Sequence, residues 1–213
     1  MNKYFITGQW YEHEYSCKWY GHQYIDTPEP EWARQSNLHA VDFCLMCLGL
    51  DSDAKILDLG SGVGRIMRTW KRRGFQDIYG LEISKTAVRA SGEPNMICGT
   101  VADIPYRDNE FDLVFSVALF EHIDESILER VINECLRVGK RQAHFIGLEF
   151  GTDPSHINIK TMAEWSNTFA RYSKDLIAVV ENPLVGGDPM LLVLPYELVT
   201  YPMLTALQTR SAQ

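Results

Sequence analysis

A chain of 213 residues with 46% hydrophobic and 23% charged side chains has the make-up of one α/β domain with additions, able to bury a sizeable core. Its net charge of −8 opposes the phosphate neutralisation on which nucleic-acid affinity rests, which argues against such a partner. Five cysteines, an odd number, argue against a disulfide scaffold.

Met1-Asn2-Lys3-Tyr4 lacks the long apolar region of a signal peptide, and the apolar runs further on are too short for a bilayer. A reduced, cytoplasmic protein with no membrane partner is the expectation. Residues 1–30 crowd in Tyr4, Phe5, Trp10, Tyr11, Tyr15, Trp19, Tyr20 and Tyr24, which suits an aromatic cap or lid. Pro28-Glu29-Pro30 marks the boundary to a domain spanning 31–213. Glu31–Leu48 reads as an amphipathic helix through Leu38, Val41, Leu45 and Leu48, stopped by Gly49. Cys44 and Cys47, on that helix, have CxxC spacing without a second pair, so they read as core thiols and not a zinc site.

Strands and helices alternate from Lys55 onward. Strands are expected at Lys55–Leu59, Ile78–Ile83, Asn95–Cys98, Phe111–Val117 and Ala143–Phe150. Helices are expected at Gly64–Arg73, from the Ser84 cap to Ala90, from Asp124 or Glu125 to Val138, and at Ile159–Tyr172. The dense basic cluster Lys71-Arg72-Arg73 falls at a helix end, where cations complement the dipole. Leu176–Val180 and Leu191–Pro195 close the chain as two strands with no full helix between them. The pattern predicts a doubly wound, seven-stranded, mostly parallel sheet with an antiparallel edge hairpin.

Asp58-Leu59-Gly60-Ser61-Gly62-Val63-Gly64 joins the first strand to a helix. Glycines there let a ligand lie against bare backbone, and the helix start favours an anionic group. In such sheets the ligand lies beyond the carboxyl ends of the strands. Three acids fall at those ends. Glu82, 18 residues after Gly64, is spaced to meet a ribose diol, Asp103 to accept from an adenine amino group, and Asp58 to accept from an ammonium. Together they describe a nucleoside joined to an amino acid. A dinucleotide fits less well, because Gly60, Gly62 and Gly64 give G-x-G-x-G and Asp58 would repel a pyrophosphate.

These segments resemble the motifs of class I S-adenosylmethionine-dependent methyltransferases. Asp58–Gly64 resembles the first motif, and Gly80-Leu81-Glu82-Ile83-Ser84 the second. Ala102-Asp103-Ile104-Pro105 and Asn109–Ser116 are similar to the third and fourth, and Leu119-Phe120-Glu121-His122-Ile123 to the segment after them in the small-molecule branch. The likeness runs from residue 54 to 123 and reaches 150. It implies a Rossmann-like fold and S-adenosylmethionine as cofactor, with S-adenosylhomocysteine as product. The implied cofactor residues are Asp58, Gly60, Ser61, Gly62, Gly64, Glu82, Ile83, Asp103, Ile104, Ser116 and Val117.

The acceptor is less legible, because methyl transfer needs orientation and a dry cavity more than any obligatory nucleophile. Ser116-Val117-Ala118-Leu119 stands where amino-methylating nucleic-acid enzymes carry Asn/Asp-Pro-Pro-aromatic, and there is no Pro-Cys of the cytosine carbon-5 type. A small-molecule or glycan-like acceptor remains, with a protein side chain as a further alternative. His122, at the rim of the cavity, and His156, in the Asp153–Asn158 loop, are the candidate bases. Asn158 is more simply explained as the cap of the next helix, Glu149 is a residue that could face the acceptor, and His144 a structural residue within a strand. The competing readings are a non-catalytic module that binds the same cofactor and a nicotinamide-dependent oxidoreductase.

Overall fold

The computed structural model describes residues 28–147, 155–180 and 190–195. The aromatic segment expected as a lid, Asp153 and Glu149 lie outside the described residues. Helix α1 (Glu31–Leu48) ends on Gly49 in a left-handed conformation, as the sequence suggests. A βα alternation follows: β1 (Ile56–Leu59), α2 (Arg65–Arg72), β2 (Ile78–Glu82), α3 (Lys85–Ser91), β3 (Met96–Cys98) and β4 (Leu113–Val117). A 3-10 turn at Phe120–His122 leads to α4 (Glu125–Val138), β5 (Gln142–Phe145), α5 (Met162–Ala170), β6 (Leu176–Val180) and β7 (Met190–Leu194).

The seven strands form one sheet in the order β3-β2-β1-β4-β5-β7-β6. The first five of these run parallel, while β7 is antiparallel to both β5 and β6. The closing hairpin therefore enters with β7 innermost and β6 at the edge. Strand order reverses between β1 and β4, and a ligand site is expected at the carboxyl ends of that pair.

Alternate side chains on the strands feed two cores, one on each face. Ile56, Ile78, Leu113 and Phe115 pack with Val41, Cys44 and Cys47 of α1 and Trp70 of α2. Leu57, Leu59, Leu81 and Val114 pack with Val131 and Ile132 of α4 and Trp165 and Phe169 of α5. Asp58 and Glu82 thus share the α1/α2 face with Ile56 and Gly80, and Ser116 shares the opposite face with Val114. Trp70 stands edge-on to Phe75 and Phe115 at 5.2 and 5.3 Å. Such pairs add about 0.5–1.5 kcal/mol beyond burial.

Some boundaries differ from the sequence reading for local reasons. Phe111 makes only an isolated bridge to Gly139, so β4 starts at Leu113. β5 stops at Phe145, and the N–H of Gly147 turns to the Glu121 carboxylate at 3.0 Å. Helix α5 begins at Met162 because Thr161 and Glu164 form a capping box. Asn158 is therefore not its cap. It is buried, and its Nδ2 donates to the Ile123 carbonyl at 3.0 Å. In the basic cluster, Arg73 pairs with Asp42 at 2.5 Å and Lys71 with Glu93. Among the described residues no helix is long and apolar enough to cross a membrane.

Candidate functional site

The glycine turn is wound by its own amides. Gly60 and Ser61 donate to the Leu81 carbonyl at 2.9 and 3.2 Å, Gly64 to Ser61 at 2.8 Å, and Gly62 to the Glu82 carboxylate at 2.9 Å. Gly60, Gly62 and Gly64 all have positive φ, 69°, 54° and 77°, which side chains disfavour. With these four N–H groups engaged inside the protein, the turn offers a ligand bare backbone more than an anion cradle. A Cβ on Gly60 would come within 3.1 Å of the Leu119 side chain, which would have to give slightly, on top of the strain of its φ of 69°.

Beside the turn opens a cleft of about 810 Å³ of empty space, part of it continuous with solvent. Gly60, then Leu81, Glu82 and Ile83 at the end of β2, form one wall. Gly99, Thr100 and Val101 after β3 form the next, and Ala118, Leu119, His122, Ile123, Asp124 and Ile127 close the far side.

Glu82 is buried, and its carboxylate accepts from the N–H groups of Gly62 and Ser84 at 2.9 Å each. Burial nevertheless lifts its pKa above the usual range. Asp58, buried behind the turn, is pushed well above the usual range, first by burial and further by the charge of Glu82. Its Oδ2 has no hydrogen-bond partner among the described residues. A buried carboxylate oxygen without a donor costs stability until a ligand or water supplies one.

Gly60, Glu82, Ile83 and His122 of the expected set line the cleft. Asp58 and Ser61 lie buried behind it, with Ser61 Oγ donating to the Asp58 carbonyl at 2.7 Å. Gly62 and Gly64 shape the turn. The structure does not bring Asp103 to the cleft wall: its side chain is 79% exposed and stands 3.9 Å from Arg130. Ile104 is buried in the core, and its N–H donates to Glu134 at 2.7 Å. Ser116 is buried on the opposite face against His144 Nδ1 at 2.9 Å, and Val117 packs on the first core. His144 is held neutral, its pKa lowered to about 3 by burial. His156 reaches the site through His122, the two rings meeting at 4.7 Å.

Three features in or beside the cleft wall escaped the sequence reading. Ala118 closes β4 with φ 53°, an uncommon conformation for a residue with a side chain. Val101 and Ile127 line the cleft, and nothing in their spacing separates them from ordinary core positions. The carboxylate of Glu121 is fully buried beside His122.

Residues 57–147 match the family model described as "Methyltransferase domain". A demethylmenaquinone methyltransferase of Thermotoga maritima is 31% identical over 100 residues, 45% of this chain and 43% of that one. The 24-methylenesterol C-methyltransferase 2 of Arabidopsis thaliana is 28% identical over 122 residues, 49% of this chain and 33% of that one. This chain therefore spans less than half the length of these curated relatives. Among solved structures, a SAM-dependent methyltransferase from Aquifex aeolicus superposes with a TM-score of 0.54 at 20% identity, covering 74% of this chain and 90% of that one. The matched segment starts within β1 and ends just after β5, so the part of the chain that is similar to a methyltransferase domain carries the glycine turn, Glu82 and His122 together.

Proposed function

We propose that this chain transfers a methyl group from S-adenosylmethionine to an oxygen or nitrogen of a small molecule with an apolar body. The observation that carries the reading is the pairing of two buried acids with the glycine turn: Glu82 on the cleft wall and the unpartnered Oδ2 of Asp58 behind it. Both features fit the cofactor. Asp58 lacks a donor that an ammonium supplies, and Gly60 leaves room that a Cβ would fill. Glu82 would hold the ribose diol, Ile83 and Val101 would flank the base, and the Gly60 backbone would lie along the amino-acid part. When bound, the cofactor supplies a methyl group already activated by its sulfonium. The protein's share is then to orient the acceptor, exclude water and manage a proton where the acceptor carries one.

Leu119, Ile123 and Ile127 make the far wall apolar, and Ile127 is 40% exposed there. Exposed apolar side chains in a cleft favour an acceptor with matching surface. The named relatives act, by their names, on demethylmenaquinone and, at carbon, on a 24-methylenesterol, which agrees with the apolar body of such an acceptor and leaves its methylated atom open. His122 lines this end of the cleft with His156 packed against it, and the two would be the candidate groups to take a proton from the acceptor.

Calorimetric titration with S-adenosylmethionine, S-adenosylhomocysteine and NAD, followed by turnover on a panel of hydroxylated and aminated apolar molecules, tests the reading. Binding of the first two and formation of S-adenosylhomocysteine with one panel member support it. Binding of NAD alone would overturn it, and cofactor binding without turnover on any acceptor would favour a non-catalytic module.

A further inference from the structure

We propose that Glu121, His122 and His156 hold a first-row divalent cation beside the far wall of the cleft, which His122 lines. One ligand atom from each of the three lies within 4.8 Å of the others. Two imidazoles and one carboxylate are a donor set suited to zinc or ferrous iron that leaves further coordination positions open.

The surroundings hold these side chains in place. The carboxylate of Glu121 is fully buried and its Oε1 accepts from the N–H of Gly147 at 3.0 Å. A Cβ on Gly147 would reach that oxygen at 2.6 Å, so the close approach depends on glycine. The Glu121 carbonyl accepts from the N–H groups of both Ile157 and Asn158 at 3.0 Å, and Asn158 Nδ2 reaches Ile123. The loop bearing His156 is thereby strapped onto the 3-10 turn bearing the other two ligands. His122 Nδ1 lies 3.1 Å from the Ser155 carbonyl, the contact through which a ligating imidazole is commonly oriented by its second nitrogen. His156 Nδ1 is buried and has no hydrogen-bond partner among the described residues. Metal bonds of about 2.0–2.2 Å hold donors roughly 3–3.5 Å apart, so loading closes the triangle by about 1 Å. The His156 ring, packed on His122, would turn by that much on loading.

His122 also lines the cleft, so a cation held by these three residues would border it. If the methyl-transfer reading holds, a hydroxyl of the acceptor would bind there and release its proton to solvent at neutral pH, as cation-bound hydroxyls do. The two histidines would then act on that proton through the cation. Cation binding itself does not depend on methyl transfer.

The test uses the full chain, stripped with a chelator and titrated with Zn²⁺ against a chromogenic competitor, with Co²⁺ absorption reporting the donor set. The expected result is one equivalent bound, weakened about tenfold or more in His156→Ala and in Glu121→Gln, with S-adenosylhomocysteine affinity retained as evidence of folding. His156→Ala, on a partly exposed loop residue, keeps the test decisive should Glu121→Gln unfold. No stoichiometric binding, or equal binding by wild type and His156→Ala, overturns the proposal. Zinc binding at this site in a chain that methylates nothing overturns only the methyl-transfer reading.

Discussion

The Glu82 carboxylate accepts the N–H of Gly62 at 2.9 Å, so the acid ending β2 holds the glycine turn that ends β1. The same carboxylate takes the N–H of Ser84. Its position on the cleft wall is therefore fixed before any ligand arrives. Hydrogen bonds to a charged group are worth about 1.5–3 kcal/mol. Glu82→Ala should raise the Kd for S-adenosylmethionine and S-adenosylhomocysteine by about tenfold or more. Calorimetry checks this, and unchanged affinity would place the cofactor elsewhere.

Cofactor affinity should also depend on pH. Burial raises the pKa of both Asp58 and Glu82, so each binds its proton more tightly folded than unfolded. Stability from these two acids is then lost as pH rises from the usual carboxylate pKa, about 4, to the raised values, and is level above them. A cationic ligand favours the ionised pair. Affinity for S-adenosylmethionine should rise with pH across that same window, and binding should release protons. Titrations in buffers of different ionisation enthalpy count those protons, and Asp58→Asn should reduce the count.

How much of this could be read in the sequence depended on whether the cause was local. The βα alternation, the Gly49 stop and the Glu82 position follow from apolar runs, one conformational preference and strand-to-strand spacing, all within a few residues. The contact of His122 with Ser155 joins residues 33 apart, and no short-range pattern encodes it. Asn158 has the chemistry of a cap, but the Thr161–Glu164 box starts the helix later and leaves Asn158 to bind Ile123. Asp103 has the right chemical type in the right loop, yet its side chain turns outward to Arg130 on α4. Ala118 looks like any small residue after a strand, and only the chain path shows its positive φ.

That φ of 53° at Ala118 supports a stability prediction. A residue with a Cβ in the left-handed region costs about 1–2 kcal/mol, and glycine's greater freedom when unfolded returns about 0.4–1 kcal/mol of that. Ala118→Gly should stabilise the fold by about 0.5–1 kcal/mol in chemical denaturation with an unchanged m-value. A destabilised variant would show that the methyl group packs on the wall more favourably than its backbone is strained.

His144 should make the fold acid-sensitive. It lies between Phe120 and Phe169 with ring centroids 4.7 and 5.5 Å away, and burial lowers its pKa to about 3. Below the unfolded pKa near 6.5 the unfolded chain binds a proton that the folded chain refuses. The stability that His144 contributes is complete above about pH 6.5 and falls by about 1.4 kcal/mol per pH unit toward pH 3. His144→Gln should flatten the pH dependence of unfolding by one proton between those limits. An unchanged slope would mean that His144 is protonated in the folded state.

Asp103 gives the sharpest contrast between sequence and structure. An acid after β3 is spaced to accept from an adenine amino group, yet its side chain is 79% exposed and pairs with Arg130 at 3.9 Å. Exposed pairs contribute about 0–1 kcal/mol. The cleft wall after β3 is formed instead by Gly99, Thr100 and Val101, shortly before it in the chain. Asp103→Ala should therefore change cofactor Kd by less than about threefold, against tenfold or more for Glu82→Ala. If the two losses match, the loop after β3 must close inward on binding and carry Asp103 to the adenine. Salt dependence separates the cases, because an exposed pair is screened and a desolvated contact to the base is not.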